Sequence, residues 1–284
     1  MKMNNSNKIK INGETKLYGI IGNPVKHSFS PGMQTTAFQT IGINAVYLPF
    51  QITEEELPNL LDSFSLINLQ GFNVTVPFKQ KIIPFLSEID PDAKLLDSVN
   101  TVVRTKTGWK GYSTDGKGFI RSLKDLEISL PNTSAAIVGA GGSARAIAIS
   151  LVQSGVSEIL IFNRTESKAH DLAKLIKQLN HEVHIKINPI IKAPINLLIN
   201  CTTVGMTDNH CPVPDNIIEH SQAIVDIIYN PSQTSLLRKA ADRGILNQNG
   251  IGMLLFQGVE SFEIWTNKGA PIEIMKDTLI QSIL

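Results

Sequence analysis

Ala135-Ala-Ile-Val-Gly139-Ala-Gly141-Gly-Ser-Ala144-Arg-Ala-Ile-Ala-Ile-Ser-Leu-Val152 is the stretch whose reading decides the fold. Ala135–Val138 is a short apolar run of strand character. It meets a cluster of glycines, and the segment from Ser143 to Val152 reads as a helix closed by Gly155. Outward from there, Glu158–Phe162 reads as a buried strand, and Lys168–Gln178 as a helix with Leu172, Leu175 and Ile176 on one face. Strand, glycine turn, helix, strand, helix implies a parallel sheet. Strands at Ile195–Asn200 and Ala223–Ile228 and a helix at Ser235–Ala241 continue the pattern.

The glycine pattern Gly139-x-Gly141-x-x-Ala144 stands directly after a strand and opens a helix. In that context glycines let a pyrophosphate approach bare backbone N–H groups, and the helix N-terminus adds positive partial charge. A tight turn without a ligand is the alternative. The tip of the second strand decides between cofactors, because an NAD site places an acid there for the ribose 2′-hydroxyl. This strand ends Phe162-Asn163-Arg164-Thr165, with Lys168 close behind and Glu166 only in the next turn. Arg164 offers a planar fork to a 2′-phosphate and Lys168 a point charge, so NADP is expected over NAD. The alternative is a solvated helix start, which positive charge at a helix N-terminus disfavours mildly.

The front of the chain alternates as well. Lys16–Ile21, Ala45–Phe50 and Gly71–Val76 read as strands, and Glu54–Ser63 as a helix. Pro31–Thr40 reads as a helix with Ser30 as its cap and Pro31 at its first position. Met253–Trp265 and Pro271–Ile283 read as helices. The expected architecture is α/β with two domains. Residues 1–115 plus 253–284 form an N-terminal α/β substrate domain, on which the C-terminal helices pack back. Residues 116–252 form a Rossmann-like, doubly wound nucleotide-binding domain.

Composition narrows the function. The 284 residues suit two domains, and 42% hydrophobic against 18% charged residues excludes global disorder. Lys+Arg 26 against Asp+Glu 25 leaves a net charge of +1, too little basic excess for a nucleic-acid partner. The most apolar stretch, Ala135–Phe162, is interrupted by Arg145, Glu158 and glycines, so no membrane span is expected. The opening MKMNNSNKIKINGETK lacks an apolar core of signal-peptide length, and its first dozen residues are expected to fray. Two cysteines, Cys201 and Cys211, make no disulfide framework and fit a reducing cytoplasm. Cys201 reads as a small buried residue rather than a nucleophile. His181-x-x-His184 lacks the spacing of a helical zinc pair, so no metal is expected.

Four polar segments lie before the domain boundary. Ser28 and Ser30 stand two apart, which in an extended segment puts both hydroxyls on one face. Beside a helix start such a pair suits a carboxylate, though taken alone a capping serine plus a spare one is the better reading. Asn73-Val-Thr75-Val-Pro-Phe-Lys79, Ser98-Val-Asn100-Thr101 and Ser113-Thr-Asp115-Gly116 add hydroxyls, amides, a lysine and a carboxylate. Each alone is turn chemistry. Together they suit a small, highly oxygenated carboxylic acid.

These residues carry a resemblance. The strings GNPVKHSFSP, GFNVTVPFK, SVNTVV, STDGKGF, VGAGGSARA, FNRT, INCTTVGM and GIGMLLFQG run in the order of the shikimate dehydrogenase family, from about Tyr18 to Gly258. The resemblance implies reversible NADP-dependent reduction of 3-dehydroshikimate to shikimate, in aromatic amino-acid biosynthesis. It implies that Ser28 and Ser30 hold the substrate carboxylate, and that Thr75, Asn100 and Asp115 bind ring hydroxyls. It makes Lys79 the catalytic lysine with Asp115 as its partner in acid–base work, and brings Tyr229 and Gln257 to the substrate. For the cofactor it implies Gly139, Ala140, Gly141, Gly142, Ser143, Asn163, Arg164, Thr165, Lys168, Ile227 and Gly252. Two departures are small: Ser113 stands where the family often has Asn, and Asn249 where it often has Asp. The rival readings are a quinate/shikimate dehydrogenase of broader range and a non-catalytic NADP-binding sensor on the same fold. The chain is expected to work as a monomer or homodimer.

Overall fold

Two six-stranded sheets organise residues 11–283, the part of the chain that this computed structural model describes. Most of the opening segment expected to fray lies outside those residues. Asn12, at its end, is held: its side-chain oxygen accepts from the Asn44 amide at 2.9 Å and from the Glu14 N–H at 3.0 Å.

In chain order the first elements are β1 (Lys16–Gly22), α1 (Ser30–Thr40), β2 (Ala45–Gln51), α2 (Leu57–Leu66), β3 (Leu69–Val74), β4 (Glu88–Ile89), α3 (Pro91–Leu96), β5 (Thr101–Arg104) and β6 (Trp109–Tyr112). Their sheet has the order β2-β1-β3-β5-β6-β4. β1 runs parallel to β2 and β3, whereas β5 is antiparallel to both of its neighbours. The central strands are buried almost throughout, as strands covered on both faces must be. Phe72 on β3 anchors an aromatic core, with Phe64 and Trp109 edge-on to it at 5.1 and 5.5 Å.

The next elements are α4 (Asp115–Ser122), β7 (Ser134–Val138), α5 (Gly142–Gln153), β8 (Glu158–Phe162), α6 (Glu166–Leu179), β9 (His184–Ile187), β10 (Ile195–Asn200), α7 (Asp215–Glu219), β11 (Ser221–Asp226), α8 (Ser235–Asp242) and β12 (Leu246–Gln248). The second sheet has the order β12-β11-β10-β7-β8-β9, and every pairing in it is parallel. The strand order reverses at β7, where doubly wound sheets take their ligands. Two helices close the chain, α9 (Ile251–Thr266) and α10 (Ile272–Ile283).

Residue contacts divide the chain into two units. One runs to Thr114 and resumes at Gly258, and the other is Asp115–Gln257, so the second break falls inside α9. Within the first unit, the Gln34 amide on α1 donates to the Gly258 carbonyl at 2.8 Å, and Phe38 meets Phe262 at 5.1 Å. Among the described residues no helix is long and apolar enough to cross a membrane.

Several local readings shift. α2 starts at Leu57 rather than Glu54, because Glu54–Glu56 form a turn and Pro58 occupies the first helical turn, where its missing N–H costs nothing. β3 ends at Val74, before the turn at Val76-Pro77. β11 ends at Asp226 rather than Ile228, because the Asp226 carboxylate takes the Ile228 N–H at 3.1 Å and turns the chain.

Candidate active site

Strand direction gathers the polar segments of the first unit. β1, β3 and β6 share one direction and β5 opposes them. The ends of β1, β3 and β6 and the start of β5 therefore lie at one edge of the sheet. Ser28 and Ser30 follow β1, Thr75 and Lys79 follow β3, and Asn100 precedes β5. β6 ends at the same edge, followed by Ser113 and Thr114; Asp115, next in the chain, is the buried first residue of α4.

Ser30 does not cap α1. Phe29 already has helical angles (φ −83°, ψ −11°), which moves Ser30 inside the helix. The Ser28 hydroxyl instead accepts the Ser30 N–H at 3.3 Å. The two serines meet through a turn rather than through strand alternation. Ser30 is buried, and its side chain touches the Tyr47 hydroxyl. Burial pushes the Tyr47 hydroxyl well above its usual pKa, and the Ser30 contact works the other way.

From Tyr47 a hydrogen-bonded network continues inward. The Tyr47 hydroxyl donates to Asn73 Oδ1 at 2.7 Å. Asn73 Nδ2 donates to the Asn100 carbonyl at 2.9 Å, to Ser261 Oγ at 3.0 Å and to Thr101 Oγ1 at 3.1 Å. Asn100 Oδ1 accepts the Thr114 N–H at 2.8 Å, and its Nδ2 donates to Thr114 Oγ1 at 2.9 Å. Two backbone bonds, Val74 N–H to Asn100 O and Val99 N–H to Lys79 O, both 2.9 Å, tie the Lys79 turn to the Asn100 segment. Thr75 turns its methyl toward Gly22, where a Cβ would lie only 2.4 Å away. Its half-buried hydroxyl makes no hydrogen bond to a described residue.

In the second unit a cavity of about 880 Å³ opens over the glycine turn. That volume is within the range of small-molecule sites. Gly139, Ala140, Gly141, Asn163, Arg164, Thr165 and Lys168 line it, seven of the eleven cofactor positions expected from sequence. Gly139 has φ +105°, in the left-handed region that glycine accepts freely. Gly141 has φ −81°, open to any residue, and a Cβ built on it meets nothing within 4 Å. Its smallness is therefore not demanded by protein packing. No side chain caps α5, so its first N–H groups, at Gly142 and Ser143, remain available to an anion. Arg164 and Lys168 make no ion pair among the described residues, and no aspartate or glutamate lines the cavity. The nearby Glu166 carboxylate faces His170 at 3.7 Å.

Two cofactor positions, Ile227 and Gly252, and two substrate positions, Tyr229 and Gln257, are not among the residues lining this cavity. Gly252 does not line the cavity, and its lack of a side chain is explained by Gln248 Nε2 and Ser122 Cβ, which a Cβ would approach to 2.8 and 2.9 Å. Ile227 is half-buried and donates its N–H to Asn200 O at 3.1 Å. Tyr229 is half-buried, and burial raises its hydroxyl pKa. Gln257 turns its amide to the Leu254 carbonyl at 2.8 Å.

The cavity also takes Asn188, Cys201–Val204 and Pro212, which sequence reading did not assign to the cofactor. The Asn-Pro pair at 188–189 hinted at a turn there, and INCTTVGM at 199–206 covered the other segment without being given a cofactor role. The 201–204 segment is held from beneath. Buried Asp226 accepts from Asn200 Nδ2 at 3.0 Å and Thr234 Oγ1 at 2.7 Å, and Asn200 Oδ1 accepts from Thr202 Oγ1 at 2.7 Å. Burial raises the Asp226 carboxyl pKa. Burial first, and then the charge of Asp226, push the Cys201 thiol well above its usual value, so it is no thiolate nucleophile. Among the described residues no group of three or more His, Cys, Asp or Glu could hold a metal ion.

Comparison with known proteins gives three family matches. The family described as shikimate dehydrogenase substrate binding domain matches residues 20–102, shikimate / quinate 5-dehydrogenase matches 122–203, and shikimate 5′-dehydrogenase C-terminal domain matches 250–280. The chain is 39% identical to the shikimate dehydrogenase (NADP(+)) of Alkaliphilus oremlandii, over 95% of this chain and 98% of that protein. It is 40% identical to that of Pyrococcus furiosus, over 94% and 96%. Among solved structures, a shikimate dehydrogenase in complex with NADP+ matches with a TM-score of 0.89 at 38% identity, covering 96% of this chain and 98% of that one. The Listeria monocytogenes shikimate 5-dehydrogenase in complex with shikimate and NAD matches at 0.88 and 34%, covering 95% and 98%. The 5-ketofructose reductase of a Gluconobacter strain matches at 0.87 and 30%, covering 95% and 99%.

Proposed function

The chain belongs to the shikimate dehydrogenase family, and from that premise we propose that it reduces 3-dehydroshikimate to shikimate with NADPH, reversibly, on the route to aromatic amino acids. The observation that carries the reading is the sheet edge of the first unit. There a serine pair, a lone threonine hydroxyl, a lysine and an amide meet on bonded segments. That set matches a carboxylate, ring hydroxyls and a ketone that needs a proton.

NADPH, when bound, supplies the hydride. The residues that fit it are the Gly139–Ser143 turn for the diphosphate and Arg164 with Lys168 for the 2′-phosphate, with Asn163 and Thr165 between them; Ile227 and Gly252 are the outlying cofactor positions. Lys79 gives its proton to the ketone oxygen, and in the reverse direction an unprotonated Lys79 takes the hydroxyl proton. Ser28 and Ser30 donate to the substrate carboxylate. Asn100 acts on the substrate as a donor, because its side-chain oxygen already accepts from the Thr114 N–H at 2.8 Å and the Thr101 hydroxyl at 3.2 Å. Thr75 adds a hydroxyl, Asp115 accepts from a ring hydroxyl, and Tyr229 and Gln257 complete the substrate set. We place the enzyme in the cytoplasm, as a monomer or homodimer; both of its cysteines are free.

The test is a matrix of shikimate and quinate, each with NADP and NAD, with 5-ketofructose and NADPH as a further arm. Fastest turnover with shikimate and NADP is expected. Comparable turnover of quinate would make it the broader dehydrogenase, preference for 5-ketofructose would move it to another substrate, and binding without turnover would leave a sensor.

A further inference from the structure

We infer that Asn188 is a positioning residue for cofactor choice: it clamps the loop that presents Arg164 to the nucleotide cavity. The inference rests on reading that cavity as the NADP site. Asn188 follows β9, and its N–H donates to the Ile161 carbonyl at 2.8 Å, extending the β8–β9 ladder one step beyond the strand. Its φ is +44°, in the left-handed region that asparagine enters more readily than other side-chain-bearing residues. From there its amide grips the neighbouring strand's exit at both ends of one residue. Asn188 Oδ1 accepts the Asn163 N–H at 3.0 Å, and Asn188 Nδ2 donates to the Asn163 carbonyl at 3.3 Å. Asn163 in turn donates its own side-chain amide to the Thr165 carbonyl at 2.7 Å.

Arg164 lies between these two tethered residues. Its backbone is held from both sides, while its guanidinium has no bond to a described residue. A planar fork recognises phosphate through parallel hydrogen bonds, which requires that its base be fixed. Asn188 also lines the cavity itself. A change there alters how Arg164 is presented without removing Arg164. The bare diphosphate cradle at Gly139–Gly141, common to both dinucleotides, is untouched.

Two variants separate the clamp from the backbone. Asn188→Gly keeps the left-handed conformation and removes both clamp bonds. Asn188→Asp keeps the acceptor for the Asn163 N–H, loses the donor, and adds a negative charge to the cavity wall. Dissociation constants for NADP and NAD are measured by titration calorimetry on the full chain, with the melting temperature recorded for each variant. Wild type is expected to bind NADP more tightly than NAD. Asn188→Gly should weaken NADP by about tenfold and NAD by less than about twofold, in line with the loss of one to two hydrogen bonds. Asn188→Asp should weaken NADP at least as much, and it carries the test if the glycine variant does not fold. A wild type that does not discriminate would remove the NADP reading of the cavity. A discriminating wild type whose variants keep the same NADP-to-NAD ratio, whether both affinities fall together or neither moves, would overturn the role of Asn188.

Discussion

The Asn73 side chain in the first unit makes four hydrogen bonds to its own protein, whereas the Arg164 side chain in the second makes none to a described residue. That contrast extends to the surroundings of each. Around Asn73, the buried side chains of Tyr47, Thr101 and Ser261 satisfy one another and hold Ser30 and Asn100 in place. Around Arg164 lie a glycine backbone, a helix end without a side-chain cap, and Lys168, which like Arg164 makes no ion pair among the described residues. In the first arrangement, recognition groups are ordered before the ligand arrives, which reduces the entropy lost on binding. In the second, charge-assisted contacts are stronger each, but they still depend on the backbone that presents the cations. Disturbing the first region should change stability together with substrate affinity, and disturbing the second should change cofactor affinity alone.

The largest effect is expected at Lys79. In the proposed mechanism Lys79→Ala removes the proton donor, and kcat should fall by roughly 10²–10⁴-fold. The shikimate KM should move far less, because Ser28, Ser30, Thr75 and Asn100 remain. Steady-state kinetics read this directly, and near-normal kcat would transfer the proton's origin to Tyr229 or bound water. Next is Arg164→Ala, expected to weaken NADP roughly tenfold to a hundredfold with NAD and the melting temperature almost unmoved. Equal weakening of both cofactors would dissolve the contrast drawn above.

Tyr47→Phe probes the other side of the comparison. It leaves Asn73 Oδ1 buried without its donor, which should cost about 1–3 kcal/mol in a denaturant titration. The shikimate KM should rise severalfold and the NADP dissociation constant should stay put. A variant of unchanged stability with normal KM would show that Asn73 is not held from Tyr47. The smallest effect concerns Asp226. Its carboxyl pKa is raised by burial, so the stability it contributes is fully present below the ordinary aspartate range and is lost as pH rises through the raised value. Asp226→Asn removes that loss. The melting temperature of the variant relative to wild type should therefore climb as pH rises from the ordinary aspartate range; a flat difference would show that the carboxylate's hydrogen bonds offset its burial, and a falling one that they outweigh it.

What could be read from sequence follows from how far apart the cooperating residues lie. The glycine turn was legible because its strand, its glycines and its helix are contiguous. Ser28 and Ser30 were legible as residues but not as geometry: the helix start depends on the backbone angles of Phe29, which composition does not reveal. Asn188 and Asp226 were missed because their partners, Asn163 and Asn200, stand 25 and 26 residues away. Only the pairing of parallel strands brings them together. The short elements β4, β9 and β12 escaped because runs of two to four residues carry too little periodicity to read.

Gly141 and Gly252 look alike in the sequence, yet they answer to different masters. Gly252 is wedged between Gln248 and Ser122, so a side chain there would force a neighbour to shift. Gly141 faces open space with ordinary backbone angles, so the protein's own packing does not require glycine there, and the proposed nucleotide would be what keeps it bare. A descendant that gave up the nucleotide would be free to drift at position 141 while its fold persisted, and would still be bound to glycine at 252.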